Sequence, residues 1–377
     1  MTQYVTRRAV LAAGVASLAG CLGRGPVGGA VNPSSTTPDD GTGLDGEPPK
    51  GNPGGPPTAQ DRLPLPGEPS SLRDRAVSGG PPKDGIPSID SPAFVATDEA
   101  SDWIDPSDPV FGLATGTETK AYPQSILVWH EICNDVVDGT PVSVTYCPLT
   151  GTAMGFARGE TTFGVSGRLV NNNLIMYDRA TETWWPQVLA TAIPGPWNES
   201  PPIRSLREFR VVWTTWERWS TVHPHTKVLS RETGFAQRYG SDPYGSYNPR
   251  RGYYEPDSTP LFVSWGEDDR LPPKTVVIGT RAADGAAAFE KNALREGRRI
   301  EGNRGGSQLV ATYDPHLDTG YVYENPSRAQ FEVRDDTFVA ESEDSFTAAE
   351  LPLERTLAFD AMWFAWSGFY PETTLYD

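Results

Sequence analysis

The sequence has little cysteine, little lysine and no long apolar run. Three cysteines in 377 residues are too few for a disulfide-dense scaffold. No stretch reaches the roughly 20 apolar residues that a membrane-spanning helix needs. The 49 acidic and 32 basic residues give a formal charge of -17, which excludes the basic surface expected of a nucleic-acid-binding protein. A P-loop, a dinucleotide-binding fingerprint, a His-Glu-x-x-His motif and EF-hand spacing are also absent.

The aromatic content is high enough to build a core. The 11 Trp, 14 Tyr and 14 Phe residues exclude a wholly disordered chain. Only six of the basic residues are lysine, and this scarcity together with the acidity predicts a salt-adapted, halophilic surface. At molar salt the Debye length is about 3 Å, so the acidity is better explained by solvation than by attraction of a charged partner.

The first 20 residues predict a twin-arginine export signal. Arg7 and Arg8 precede an apolar stretch that is too short to span a membrane. The sequence Leu18-Ala-Gly-Cys21 matches the lipobox of exported lipoproteins. We therefore expect lipidation of Cys21 and anchoring, through that lipid, on the outer face of the cytoplasmic membrane.

Composition divides the rest of the chain into a tether and a body. Residues 21–85 are rich in Gly, Pro, Ser, Thr and Asp and contain no aromatic residue, which predicts a flexible tether. Residues 86–262 and 263–377 are expected to form the two halves of one folded body. Short strands and a few short helices predict a β-rich α+β fold. The pattern predicts a hairpin turn at Asp138-Gly139 and a helix over 286–294, among others.

Parts of the body repeat the same residue pattern. The segment 216–224, with Trp-x-x-Trp followed by His-Pro, recurs at 363–371 with Tyr-Pro, and Thr-Tyr-Cys-Pro at 145–148 recurs as Thr-Tyr-Asp-Pro at 312–315. Two shorter matches occur in the same order, which predicts two diverged internal repeats. The first copy holds about 20 extra residues, most economically between Leu169 and Ile203.

Residues found in the first copy alone are candidates for function. Cys147 corresponds to Asp314, and no histidine in the second copy matches His130. If Asp138 and Gly139 form the turn, His130 pairs with Cys147 across the hairpin. A helical turn at Trp129 would change which residues pair and which face each side chain takes.

A third cysteine lies in the same hairpin. The alternation of strand side chains puts Cys133 on the face opposite to Cys147, so a disulfide between them is not expected.

The segment 171–187 has no counterpart in the second copy. With His130 and Cys147, it is expected to line a pocket in the first half, to which Asp178 also contributes. The candidate binding residues are Arg168, Asn172, Tyr177, Trp185 and Gln187.

Four motifs resemble a known family. They are Trp129-His-Glu-Ile-Cys-Asn-Asp135, Thr145-Tyr-Cys-Pro-Leu-Thr-Gly-Thr152, Phe163-Gly-Val-Ser-Gly167 and Tyr177-Asp-Arg-Ala-Thr-Glu-Thr-Trp-Trp185. From about Ile86 to the C-terminus the chain resembles the domain of unknown function 3179. The resemblance implies an exported or lipid-anchored prokaryotic protein and no agreed activity.

The chain departs from this family at one position. Many members have a second cysteine where this sequence has Thr150, so a Cys-x-x-Cys redox pair or two-thiolate metal clamp is absent here. Cys133 is unusual at its place in the family pattern and is not an obvious replacement.

Three functions fit these residues. The first, which we carry forward, is a soft-metal or thiol-handling site in which His130 and Cys147 bind Cu or Zn, with Asp178, Glu131 or His223 as further ligands. The second is a hydrolase or transferase with Cys147 as nucleophile, His130 as base and Asp178 orienting it.

The third function is a non-catalytic surface module. Aromatic and amide side chains would bind a glycan or peptide, with the segment 242–248 as the region to test. Against all three stands a purely structural role, in which Cys147 and His130 are core residues. Whether the protein is an enzyme stays open at this point.

Overall fold

The computed structural model describes residues 54–377, and all structural statements concern that range. The export signal, Cys21 and the first part of the predicted tether lie outside it. None of its helices is long and apolar enough to cross a membrane. The helices are α1 (Pro69–Asp74), α2 (Thr97–Ser101), α3 (Gln124–His130), α4 (Trp216–Val222), α5 (Lys291–Gly297) and α6 (Trp363–Phe369).

Strands predominate, so the predicted β-rich α+β class is confirmed. Those before residue 263 are β1 (Val77–Ser78), β2 (Phe94–Val95), β3 (Pro109–Ala114), β4 (Thr119–Pro123), β5 (Ile132–Val137), β6 (Thr140–Cys147), β7 (Thr152–Ala157), β8 (Phe163–Val170), β9 (Asn173–Asp178), β10 (Trp184–Pro186), β11 (Glu208–Phe209), β12 (Val212–Thr215), β13 (Lys227–Leu229), β14 (Gly245–Tyr247) and β15 (Arg250–Gly252).

Eleven strands of the described range follow residue 263. They are β16 (Val276–Ala282), β17 (Gly285–Glu290), β18 (Arg299–Arg304), β19 (Ser307–Asp314), β20 (Thr319–Glu324), β21 (Phe331–Arg334), β22 (Thr337–Ala340), β23 (Ser345–Phe346), β24 (Glu354–Thr356), β25 (Ala358–Met362) and β26 (Thr374–Tyr376).

One arrangement of two sheets occurs in both parts of the chain. The first part has the strand orders β12-β3-β4-β13-β2 and β11-β7-β6-β5, and the second has β25-β16-β17-β26 and β24-β20-β19-β18. In both parts the last helix leads into a strand that pairs in parallel, β13 with β4 and β26 with β17. The three remaining sheets of residues 54–377 are β1-β8-β9-β10, β14-β15 and β21-β22-β23.

Local geometry also recurs at corresponding positions. Helices α3 and α5 end at Glu131 and Arg298, which both take left-handed backbone angles, with φ of 59° and 64°. The carbonyl of Glu131 accepts from the N–H of Tyr146 at 2.8 Å, and that of Arg298 accepts from Tyr313 at 2.9 Å. Each helix is thereby tied to the central strand of the sheet that follows it.

The two parts join along a seam of hydrogen bonds. The N–H of Met362 donates to the carbonyl of Thr150 at 2.9 Å, which places β25 beside the start of β7. The side chain of Arg210, in the first part, donates to the carbonyls of Ala358 and Gly320 in the second part, both at 2.8 Å. One hydrophobic cluster contains residues of both parts, so the two halves share a core.

The tether prediction does not hold for residues 58–85, which pack against the body. The N–H of Ala59 donates to Ser205 at 2.8 Å, Leu72 is fully buried, and Ser78 of β1 pairs with Arg168 of β8. Composition indicates that this segment cannot build a core of its own. It is ordered because the body supplies its hydrogen-bonding and packing partners. The composition of the segment alone cannot predict such contacts.

The helix predicted over 286–294 is wrong for its first part. Residues 285–290 form β17, in which Ala288 pairs with Gly279 on one side and Leu375 on the other. Pairing on both edges of the strand outweighs the helical preference of the alanines. The helix α5 begins only at Lys291.

The hairpin prediction is confirmed. Asp138 and Gly139 both have positive φ, 46° and 76°, and the flanking strands pair from Val137↔Thr140 to Ile132↔Thr145. The left-handed angles suit a two-residue turn between twisted strands.

We expect two glycines to be essential for the packing of each half. A Cβ on Gly112 would lie 2.2 Å from the ring of Trp219, and one on Gly279 would lie 2.3 Å from Trp366. Both rings are fully buried and cannot move away. Gly112→Ala and Gly279→Ala should each lower the free energy of unfolding by roughly 1–3 kcal/mol in denaturant titrations.

The matched control is Gly116→Ala, since nothing lies within 4 Å of the new methyl group there. If Gly112→Ala and Gly116→Ala unfold at the same denaturant concentration, this account of the packing is wrong.

Candidate functional site

His130, predicted as a ligand or base, is a buried structural residue. It ends α3, and its ring spans two partners: Nδ1 lies 2.7 Å from the carbonyl oxygen of Pro87, and Nε2 lies 2.7 Å from the hydroxyl of Tyr239. A carbonyl only accepts, so Nδ1 carries the proton and Nε2 accepts from Tyr239. Burial lowers the pKa of His130 to about 4. The imidazole is therefore neutral, and both of its nitrogens are already used.

Cys147 lies elsewhere and is also buried. Its Sγ is 3.7 Å from the carbonyl oxygen of Asn172. The expected pairing of His130 with Cys147 is therefore not found, because α3 runs through His130 and strand pairing begins only at Ile132. This is the helical turn that changes the parity of the hairpin.

Cys133 and Cys147 are both free thiols, as expected. They belong to different hydrophobic clusters, because Cys133 pairs with Val144 while Cys147 alternates to the other face of the sheet. Burial raises the pKa of the Cys133 thiol well above its usual value.

Asp178 does not complete a catalytic triad. Its carboxylate accepts from the N–H of Thr181 at 2.7 Å and from the indole N–H of Trp185 at 2.9 Å, and it is fully buried. In residues 54–377 no three His, Cys, Asp or Glu side chains are grouped so that they could hold a metal ion.

The predicted binding residues serve the packing of β8 to β10. Asn172 has a positive φ of 63° in the β8–β9 turn and exchanges hydrogen bonds with the backbone of Phe262. Tyr177 donates to Asp84, and burial raises its pKa. Arg168 is exposed on β8.

Gln187 belongs to a fully buried polar network beside Cys147. It accepts from Thr152 at 2.7 Å and Asn173 at 2.9 Å, and it donates to Thr145 at 2.9 Å. Asn173 also donates to Thr150 at 3.0 Å. Thr150, which stands where the resemblance leads one to expect a second cysteine, is thus part of this network.

The comparison with family models agrees with these motifs. Residues 83–373 match the model described as "Protein of unknown function (DUF3179)". The chain belongs to this family. No curated protein and no solved structure matches it.

A cavity of about 350 Å³ lies at the seam of this DUF3179 protein. It is bounded by β12 of the first half, by the β14–β15 hairpin, and by α5, β16 and β25 of the second half. Its lining residues are Gly151, Trp213, Thr214, Thr215, Tyr247, Asn248, Arg250, Pro256, Thr275, Val276, Lys291, Asn292, Arg295, Asp318, Asp360 and Met362. None of the residues predicted to line a first-half pocket is among them.

Two ion pairs form the second-half wall of the cavity. Lys291 Nζ lies 2.7 Å from Asp360 Oδ2, and both side chains are buried. Arg295 lies 2.8 Å from Asp318, which also accepts from the hydroxyl of Tyr313. Burial would raise the pKa of Asp318, but Lys291, Tyr313 and Arg295 together hold it below its usual value. Asp318 is therefore ionised at neutral pH.

Aromatic rings form the first-half wall. Trp213 and Tyr247 meet at 74° with their centroids 5.0 Å apart, and Tyr247 stacks on Tyr254 at 3.8 Å. The hydroxyl of Tyr247 lies 3.0 Å from that of Tyr146, away from solvent. The ring of Tyr247 is thus held on both its face and its hydroxyl end.

Asp242 supports this wall from behind. Its carboxylate accepts from Gln124 at 2.6 Å, from Tyr254 at 2.8 Å and from the backbone N–H of Tyr244 at 2.7 Å. Burial raises the pKa of Asp242, although these hydrogen bonds act in the opposite direction.

Two lining groups keep unused hydrogen-bonding capacity. The hydroxyl of Thr214 is buried and has no partner among the described residues. Within residues 54–377 Arg250 forms no ion pair, and its one hydrogen bond goes to the carbonyl of Lys274 at 3.2 Å. Both groups are available to a ligand.

Sequence reasoning found one part of this cavity. The aromatic segment 242–248 was selected as a region to test, and it supplies Tyr247 and Asn248. Sequence reasoning did not select the second-half wall, because it sought functional residues only among those present in the first copy and absent from the second. The scarcity of lysine is the one feature of the sequence that could have pointed to Lys291. Three of the six lysines are buried: Lys120, Lys274 and Lys291.

We expect His130 to make the fold sensitive to mild acid. The pKa is about 4 in the folded protein and 6.5 ordinarily, so between these pH values the unfolded chain binds the extra proton. The stability is fully present above pH 6.5 and falls by on the order of 3 kcal/mol as the pH drops to 4. Denaturant titrations across this range should show a shallower pH dependence for His130→Gln.

The control is His225→Gln, since His225 is exposed. Equal slopes for the wild type and His130→Gln would contradict a neutral buried imidazole.

We also expect both thiols to be inert in the folded protein. Cys133 and Cys147 are fully buried, so iodoacetamide should modify them only as the chain unfolds. The chain is labelled once in its folded state and once in denaturant, and peptide mapping then measures the extent of modification of each cysteine separately. Fast native labelling of Cys147 would contradict this and would restore the nucleophile hypothesis.

Proposed function

We propose that this protein is a non-catalytic binding protein that holds a saccharide in the cavity between its two halves. The observation that carries the proposal is a wall that presents hydrogen-bond donors and acceptors beside aromatic ring faces. It is the surface-module hypothesis, with the site moved from the first half to the seam.

The polar wall suits a ligand rich in hydroxyl groups. Asp360 uses Oδ2 for Lys291 and keeps its other oxygen as an acceptor, while Asn292 accepts from Arg295 and keeps its amide N–H groups as donors. The hydroxyl of Thr214 can act either way. A simple anion only accepts hydrogen bonds, an ammonium ion only donates them and a metal ion does neither, whereas each sugar hydroxyl does both.

The aromatic wall suits the C–H face of a sugar ring. Trp213 and Tyr247 meet almost at right angles and form an apolar corner. A volume of about 350 Å³ is at the small end of ligand pockets, which favours one or two sugar units.

The lining favours binding over catalysis. It contains no cysteine, histidine or serine that could act as nucleophile or base. A glycosidase needs one carboxylic acid with a raised pKa to protonate the leaving group. At Asp318 the pKa is lowered instead.

Export and lipid anchoring remain part of the proposal. The twin-arginine signal at 1–20 and Cys21 would place the cavity outside the cytoplasmic membrane, where envelope saccharides occur. The membrane, through the lipid on Cys21, is the one partner we propose besides the saccharide.

We also infer that the body arose from two diverged copies of one unit. The recurring strand orders support this, as do the matching left-handed residues Glu131 and Arg298. The two rings that cover Gly112 and Gly279 support it as well. On this view a duplication created the seam and, with it, the cavity.

A glycan array followed by calorimetry tests the proposal. The full-length chain is expected to bind a saccharide, and Asn292→Ala should weaken binding about three- to tenfold through loss of one or two hydrogen bonds. Asn303→Ala is the control, since Asn303 is also exposed in the second half but lies outside the cavity.

Absence of binding to any saccharide would overturn the proposal. So would equal weakening by Asn292→Ala and Asn303→Ala.

A further inference from the structure

The cavity carries one cation more than it carries anions. Arg250, Lys291 and Arg295 line it together with Asp318 and Asp360. Lys291 and Arg295 are each paired with one of the two aspartates, which leaves Arg250. Arg250 is exposed at the cavity mouth and no carboxylate of residues 54–377 pairs with it, so its charge is available to an anionic ligand.

Arg250 is held in a defined position. It begins β15 and pairs with Tyr247 of β14, the residue that forms part of the aromatic wall. Its Nη1 donates to the carbonyl of Lys274 at 3.2 Å, which anchors one corner of the guanidinium. The remaining N–H groups can form the two parallel hydrogen bonds that a carboxylate accepts.

We infer that the saccharide carries a carboxylate, as in a uronic acid, and that Arg250 binds this group while the sugar ring lies against Trp213 and Tyr247. The inference rests on the proposed saccharide site and specifies its ligand. One unpaired guanidinium matches the single charge of a carboxylate. A phosphate monoester, which carries nearly two charges, would leave a surplus because Lys291 and Arg295 are already neutralised.

The test is calorimetric titration of the full-length chain with matched sugars. The pairs are glucuronic acid with glucose and galacturonic acid with galactose, in one buffer at one salt concentration, with glucose 6-sulfate as a further anion. We expect at least one uronic acid to bind about tenfold or more tightly than its neutral counterpart. Glucose 6-sulfate should bind more weakly than that uronic acid.

Arg250→Gln should abolish this preference, so that the uronic acid and its neutral counterpart bind the variant with equal affinity. Arg251→Gln is the matched control, because Arg251 is the next residue of β15, is exposed, and does not line the cavity. Binding of the neutral sugar by the variant also shows that the variant is folded.

The failures of the two proposals are distinct. Equal affinity for neutral and acidic sugars, or a preference that survives Arg250→Gln, overturns the carboxylate inference and leaves the saccharide site intact. Tighter binding of the sulfate overturns it as well. If no sugar binds, both fail.

Discussion

The hydrogen bonds across the seam are the constraint on which the site depends. Arg210 reaches the carbonyls of Ala358 and Gly320, and Met362 pairs with Thr150. These contacts fix β12 and β25, the outer strands of two corresponding sheets, at a defined separation. The cavity lies beside these contacts, and neither half could form it alone. The residues that line the cavity are positioned by the packing of both halves. Interfaces between two folded units are a common location for ligand pockets.

Of the charged groups that line the cavity, Lys291 and Asp360 are buried, which is costly. Lys291 and Asp360 lose most of their hydration, and a buried pair of this kind often contributes little net stability. In the proposed site, this pair presents hydrogen-bonding groups to the ligand. The polar network around Gln187 differs, because its amides and hydroxyls bind one another beneath the surface. That network specifies packing and offers nothing to a ligand.

Sequence reasoning predicted the β-rich class, the hairpin at Asp138-Gly139 and the family, because each depends on residues close together in the chain. Apart from the segment 242–248, it selected residues other than those that line the seam cavity. The parity argument for His130 failed because α3 continues through His130, so this residue is helical and the alternation of strand side chains does not apply to it. Order in residues 58–85 and the β17 strand were missed because distant segments supply their partners. The cavity was missed for the same reason, since Trp213 and Asp360 are brought together only by the seam.

The central claim is that the seam cavity is where this protein binds its ligand. Crystallography of the chain with the saccharide that binds most tightly tests it directly. The account predicts density for a sugar ring against Trp213 and Tyr247, with hydrogen bonds to the Lys291–Asp360 pair. Density for the sugar on another surface, with the cavity unchanged, would contradict the account.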